Sequence, residues 1–417
     1  ILQSHSVGVG QPISTELAKI MLILKIHALA KGFSGIAETT LQRMLWHLDN
    51  DAIPVVPSQG SVGASGDLAP LSHLFLPLIG LGKVEYQGKT ITTQELFQQT
   101  ELQPLELGPK EGLALINGTQ FIAAHGVMVV HKLQHCLRHA DIIGAMMLEG
   151  LQGSMKPFFE ELHELRPFKG NQHVAGRIRT LLQGSEILED HIDCERVQDA
   201  YCFRCSPQVH GPVIDLAREV RRILQVEINS ATDNPLVFLE DNGYDIISGG
   251  NFHGQNLAMA SDAIALACHE LASLSERRIN QLLDPKWSGQ QPFLANEEGL
   301  ESGLMLIQYV AAALISELHL LANPATSSNV PVSMGKEDHA SMGATGAFRA
   351  TTTTRYLSQV IANELICSCE ALDRIEEAPG NGVETLHEWV RKHTSPLESD
   401  RSLTTECETL SSAIMNG

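Results

Sequence analysis

The chain has 417 residues, of which 43% are hydrophobic and 19% charged, with a formal net charge of −20. Its pI is about 5.3 and its mean hydropathy −0.02, so it can bury a large core across two structural regions. A field this negative repels nucleic acid and anionic membrane surfaces alike, which excludes both as partners.

The sequence opens at Ile1 without an initiator methionine and with apolar residues already in phase, implying further sequence upstream. Ser14 is placed to cap a helix whose first turn holds Glu16 and whose apolar face runs through Leu17, Ile20, Met21 and Leu24, ending near Gly32. A second helix is predicted over Leu41–Leu48. Next comes the densest stretch in the chain, Gly60-Ser-Val-Gly-Ala-Ser-Gly-Asp-Leu-Ala-Pro-Leu71. Glycines at 60, 63 and 66 describe a sharply bent backbone with little steric protection. Asp67 is expected to cap or complement the positive end of a helix carrying Leu68, Leu71, Leu74, Phe75 and Leu78.

Three readings compete for this loop. It could be a tight turn between packed elements. It could cradle a phosphate, although it has no Gly-Lys-Ser/Thr ending and Asp67 stands where an anion would sit. Or it could be chemical: an unhindered Gly66 nitrogen attacks the Ala64 carbonyl, and loss of that water and of one from Ser65 leaves an electrophilic methylidene ring.

Further along, Val84–Ile91 alternates around Gln87-Gly88, and Leu236–Leu239 and Tyr244–Ile247 flank Asp241-Asn242-Gly243, so both read as hairpins. Helical periodicity covers residues 119–152, 212–229, 255–283, 303–322 and 348–375, with Pro212 in a first turn. The predicted fold is mainly α, a long-helix bundle with short hairpins. Gly108-Pro109 divides a loop-bearing region, residues 1–108, from a helical body, residues 109–417. The apolar run Leu304–Leu321 is interrupted by Gln308, Ser316, Glu317 and His319, and reads as a buried helix rather than a membrane span.

Two other patterns carry little chemistry. Cys202-Phe-Arg-Cys205 has no second Cys pair and reads as ordinary cysteines in a buried turn. His131, His135 and His139 lie four apart on one helix face without an interleaved Glu, and read as a polar face or subunit contact; no metal is expected. Eight irregularly spaced cysteines and no secretory signal at the N-terminus imply a reduced, cytoplasmic setting.

The string from Gly60 to His73 resembles the prosthetic-group loop of the aromatic amino acid ammonia-lyases, in which Ala-Ser-Gly becomes 4-methylideneimidazole-5-one (MIO). The resemblance implies that Ala64, Ser65 and Gly66 form this ring autocatalytically, that Asp67 supports it, and that no dissociable cofactor is used. It also implies the helix-bundle type of those enzymes, which is fumarase/aspartase-like. Four further strings follow in the family's order. Lys110-Glu-Gly-Leu-Ala-Leu-Ile-Asn-Gly-Thr119 places Asn117, by itself only a helix N-cap, where the family's asparagine holds the prosthetic group and the substrate amine. Gln198-Asp-Ala-Tyr-Cys-Phe-Arg-Cys-Ser-Pro-Gln208 implies a supporting role for Gln198, a place beside the ring for Tyr201 and carboxylate binding by Arg204, whose planar guanidinium suits two parallel hydrogen bonds. Asn229–Pro235 and Ser248–Gly254 are turns by composition; the resemblance sets Phe252 against the ring.

Two positions bear on the substrate. Ser4-His5-Ser6 resembles the segment in which the histidine-specific branch, and some tyrosine enzymes, contact the substrate side chain through His5. Lys336-Glu-Asp-His-Ala-Ser-Met342 matches the histidine branch at Glu337, where phenylalanine and tyrosine enzymes generally have Gln, and departs from it at Lys336 and Ala340. A carboxylate there can accept an imidazole N–H or a proton. The implied reaction is elimination of ammonia from L-histidine to give trans-urocanate. The alternatives are a tyrosine ammonia-lyase or aminomutase of the same family, or an inactive helical scaffold. The family's catalytic tyrosine precedes the Ser-His segment and is expected upstream of Ile1. The resemblance also implies a homotetramer with shared active sites acting on a small amino acid.

Overall fold

The computed structural model describes residues 1–190 and 197–417. The chain forms two compact units, each discontinuous in sequence. The first comprises Ile1–Val129, Val220–Asp262 and Pro324–Thr351, and the second Val130–Glu219, Ala263–Asn323 and Thr352–Gly417. The expected boundary at Gly108-Pro109 falls inside the first unit.

All the strands among the described residues lie in the first unit. Val9–Pro12 pairs antiparallel with Pro57–Gln59. The predicted hairpin at Gln87-Gly88 pairs Lys83–Tyr86 with Lys89–Thr92, and Ile53–Pro54 adds a third antiparallel strand. Ala52, Val84, Leu96 and Phe97 form a small core there. Leu236–Glu240 and Gly243–Ile247 form the second predicted hairpin.

Helices dominate the rest. Thr15–Leu29 starts on Ser14, whose hydroxyl accepts the Leu17 N–H as the sequence predicts. Its buried face differs from expectation: Leu17, Met21, Leu22 and Lys25 are buried, whereas Leu24 is only partly so. The helix Gln255–Leu283 has the predicted bounds, and Gln120–Gly150, Met305–Leu321 and Gly343–Leu372 lie within a few residues of theirs. Ser206–Ile228 begins earlier than predicted. Pro207 takes the first turn, where the absent N–H costs nothing, and Pro212 lies inside the helix.

The Leu304–Leu321 expectation needs correcting. The helix Met305–Leu321 is not buried in the single chain: Ile307, Ala311 and Leu318 point inward, but Leu306, Tyr309, Val310 and Leu320 are all more than half exposed. An apolar helix open on this scale needs a further surface to cover it.

Candidate active site

The loop Gly60–Asp67 is clasped within the first unit by segments distant in sequence. Gly63 has φ +65° and Gly66 φ +78°. A Cβ on Gly63 would strike the Ser341 hydroxyl, and one on Gly66 would strike the backbone of Gly118, so both the conformation and the close approach require glycine. The 337–343 segment covers one side: the Ser341 hydroxyl donates to the Gly63 carbonyl at 2.8 Å, and the Met342 N–H donates to the Val62 carbonyl at 2.8 Å. From the same segment the half-buried Glu337 carboxylate accepts the Ser65 hydroxyl directly. The residue singled out for the substrate therefore touches the serine singled out for dehydration.

Asp67 does not act as expected. Its side chain makes no bond to the start of Leu68–Phe75; instead it accepts the N–H groups of Phe121 and Ile122, each at 3.1 Å, capping the helix Gln120–Gly150. It also accepts the Ser61 hydroxyl at 2.7 Å, while its own N–H donates to the Gly118 carbonyl at 2.7 Å. It is fully buried, and burial pushes its pKa up to about 7 against these donors. One carboxylate thus joins the loop to the first turn of a 31-residue helix.

Asn117 also departs from the N-cap expectation. It follows the helix Glu111–Ile116, and the next helix begins only at Gln120. Its amide donates to the Asn234 carbonyl at 3.2 Å, and its own carbonyl accepts the Lys25 ammonium. Next to Asn234, the buried Asp233 accepts the Lys110 ammonium at 2.6 Å and the Ser34 hydroxyl at 2.8 Å. Lys25, Ser341 and the Lys110–Asp233 pair were not singled out from sequence. Only Lys25 left a legible trace, as a lysine four residues after Met21 in the row that began Leu17-Met21.

His5 bonds its own turn, through Ser4 Oγ at 2.9 Å and the Ile1 carbonyl at 3.1 Å. The segment is tied to the loop's helix by the Gly8 N–H, which donates to His73 Nε2 at 3.1 Å. Phe252 is half-buried two residues before Gly254, where any Cβ would press on Ile122 and Ser341. The first unit therefore gathers Ala64, Ser65, Gly66, Asp67 and Glu337 by direct contacts, and Asn117 through the adjoining Gly118. His5 and Phe252 are carried by adjoining turns.

Gln198, Tyr201 and Arg204 belong to the second unit. Within it the Arg204 guanidinium lies 4.3 Å from the Tyr201 ring centroid, its Nε is buried without a partner among the described residues, and Tyr201 is 70% exposed. Gln198 is exposed at the edge of a cavity of about 400 Å³. The Cys202 thiol beside them is pushed up to about 11 by burial and stays protonated. His131 and His135 stack edge to face, and His139 Nδ1 bonds the His135 carbonyl.

This chain resembles known proteins along its whole length. A profile of the family described as aromatic amino acid lyase matches residues 1–392. A histidine ammonia-lyase of Myxococcus xanthus is 44% identical over 418 residues, covering 100% of this chain and 82% of that protein. One from Natranaerobius thermophilus is 43% identical with the same coverage. Among solved structures, histidine ammonia-lyase from Trypanosoma cruzi superimposes with a TM-score of 0.93 at 38% identity, covering 100% of this chain and 79% of that one. Tyrosine aminomutase from Streptomyces globisporus superimposes with a TM-score of 0.91 at 34% identity, covering 100% and 82%.

Proposed function

The chain belongs to the aromatic amino acid lyase family, and from that premise we propose that it is an ammonia-lyase converting L-histidine to trans-urocanate. The observation that carries this reading is the contact of Glu337 with Ser65, which sets the carboxylate of the histidine branch on the loop expected to mature. The loop fits an MIO ring. Gly66 has no side chain between its nitrogen and the preceding residues, Ala64 is buried from water, and Ser65 presents its hydroxyl to a proton acceptor. When formed, that ring would supply an electrophile for the substrate amine.

The chain's own residues bind, orient and move protons. Asn117 holds the amine side of the substrate, its amide placed by Asn234 and its carbonyl by Lys25. Arg204 takes the carboxylate, with Gln198 and Tyr201 in support. His5 and Glu337 receive the imidazole, Glu337 accepting its N–H, and Phe252 stands against the loop's ring and restricts that ring's orientation. In the elimination a base takes the β-proton, the Cβ–H pair becomes the double bond, and the Cα–N bond breaks to release ammonia. No dissociable cofactor is proposed.

We further propose a homotetramer with each site shared among subunits. The open apolar face of Met305–Leu321 and the exposed Tyr201 support it, because both need a covering surface. The cysteines among the described residues are all free, in keeping with a cytoplasmic setting.

The test is the mass of the Gly60–Gly66 peptide followed by steady-state kinetics on three amino acids. A peptide short of two waters and a kcat/KM highest for histidine are expected. Preference for tyrosine or phenylalanine would sink the substrate assignment, and an unmodified peptide in active enzyme would sink the ring.

A further inference from the structure

Lys25 is 1% exposed, and its Nζ donates to the carbonyl of Asn117. That carbonyl belongs to the Asn117–Gly118 peptide. Gly118 lies so close to Gly66 that no Cβ could intervene, and its own carbonyl takes the Asp67 N–H at 2.7 Å. A continuous path therefore runs from the lysine through two consecutive carbonyls to the two loop residues Gly66 and Asp67. From this we infer that Lys25 is a positioning residue whose ammonium holds the Asn117–Gly118 peptide against the Ala64-Ser65-Gly66 triplet, so that ring closure and the placement of Asn117 both depend on it. The inference rests on the ammonia-lyase reading and extends it to a residue outside the family strings quoted above.

Stability does not explain a lysine here. It occupies the apolar row of its helix with Leu17, Met21 and Ala28, and a methionine would fill the space without the cost of burying a charge. Burial lowers its pKa to about 7; Asp233 and Asp67 oppose the shift and Lys110 adds to it. Those carboxylates keep a cation tolerable next to the loop.

The experiment compares full-length wild type and Lys25→Met by thermal melt, by the mass of the Gly60–Gly66 peptide, and by kcat and KM. Lys25→Met should melt at or above the wild-type temperature. Its cyclised fraction should fall at least tenfold, roughly, and kcat per cyclised loop roughly 100-fold with little change in KM, the size of a 1 Å misplacement. A wild-type cyclised fraction and kcat in folded Lys25→Met would overturn the inference. Should that variant fail to fold, Lys25→Leu, which likewise removes the donor to the carbonyl, is read by the same criteria. The wild-type peptide separates the two readings. If it retains both waters, the lyase reading falls and this inference with it; if wild type and variant are equally dehydrated and equally fast, only the inference falls.

Discussion

Both units bury charge, and two of the buried groups are answered differently. In the second unit Arg278 and Glu364 are wholly buried and form a two-pronged pair, with the Nη2–Oε2 contact at 3.0 Å. His210 stands 3.3 Å from Arg278 and bonds the buried Asp141 at 2.8 Å. Here side chain answers side chain, and the network joins helices. In the first unit Asp67 and Lys25 instead direct their charge at backbone: N–H groups of a helix start and the carbonyl of Asn117. Burial pushes both toward neutrality, Asp67 up and Lys25 down, each to about 7. Beside the loop the backbone answers the charge and is ordered by it; the second unit's Glu149, also raised to about 7 by burial and bonded by the Gly380 N–H at 2.7 Å, answers backbone in the same way.

The comparison breaks most sharply on Ser65→Ala. Removing the hydroxyl that must leave should lower activity roughly 10,000-fold, about 5 kcal/mol of barrier, while the melting temperature stays near wild type. A variant that kept its activity would deny the loop its role. The counterpart is Arg278→Met, which strands Glu364 in the core. Stability should drop by about 3–5 kcal/mol in denaturant titration, with the Gly60–Gly66 peptide of the folded fraction still dehydrated. If cyclisation fails there as well, the two networks are not independent.

A smaller effect is expected from Glu337→Gln, which keeps the shape but cannot accept a proton. The ratio of histidine to tyrosine kcat/KM should fall roughly 10- to 100-fold, and an unchanged ratio would remove Glu337 from selectivity. Smallest per pH unit is the signature of Asp67. Its folded pKa lies above its ordinary value of 3.8, so the folded state holds the proton more tightly. The stability this contributes is present below about pH 4 and is lost as pH rises toward about 7. Relative to Asp67→Asn, wild type should therefore lose at most about 1.4 kcal/mol per pH unit across that window. Parallel curves for the two proteins would contradict the shift.

Much of this protein was legible as sequence. The glycine spacing, the Ala-Ser-Gly triplet, the hairpins at Gln87-Gly88 and Asn242-Gly243 and the span of Gln255–Leu283 depend on neighbours a few residues away, and local rules reach that far. Four features were decided only by tertiary structure. Asp67 passes over the helix that follows it for amides 54 and 55 residues on. Lys25 meets a carbonyl 92 residues away. Ser65 meets Glu337 across 272 residues. Met305–Leu321, apolar enough to read as core, lies largely open. Periodicity and turn chemistry act along the chain, so they reveal which segments form and which residues are reactive in kind. A hydrogen bond between distant residues, and the burial of a helix face, arise only when packing has brought the segments together, and no local pattern encodes which partner will arrive.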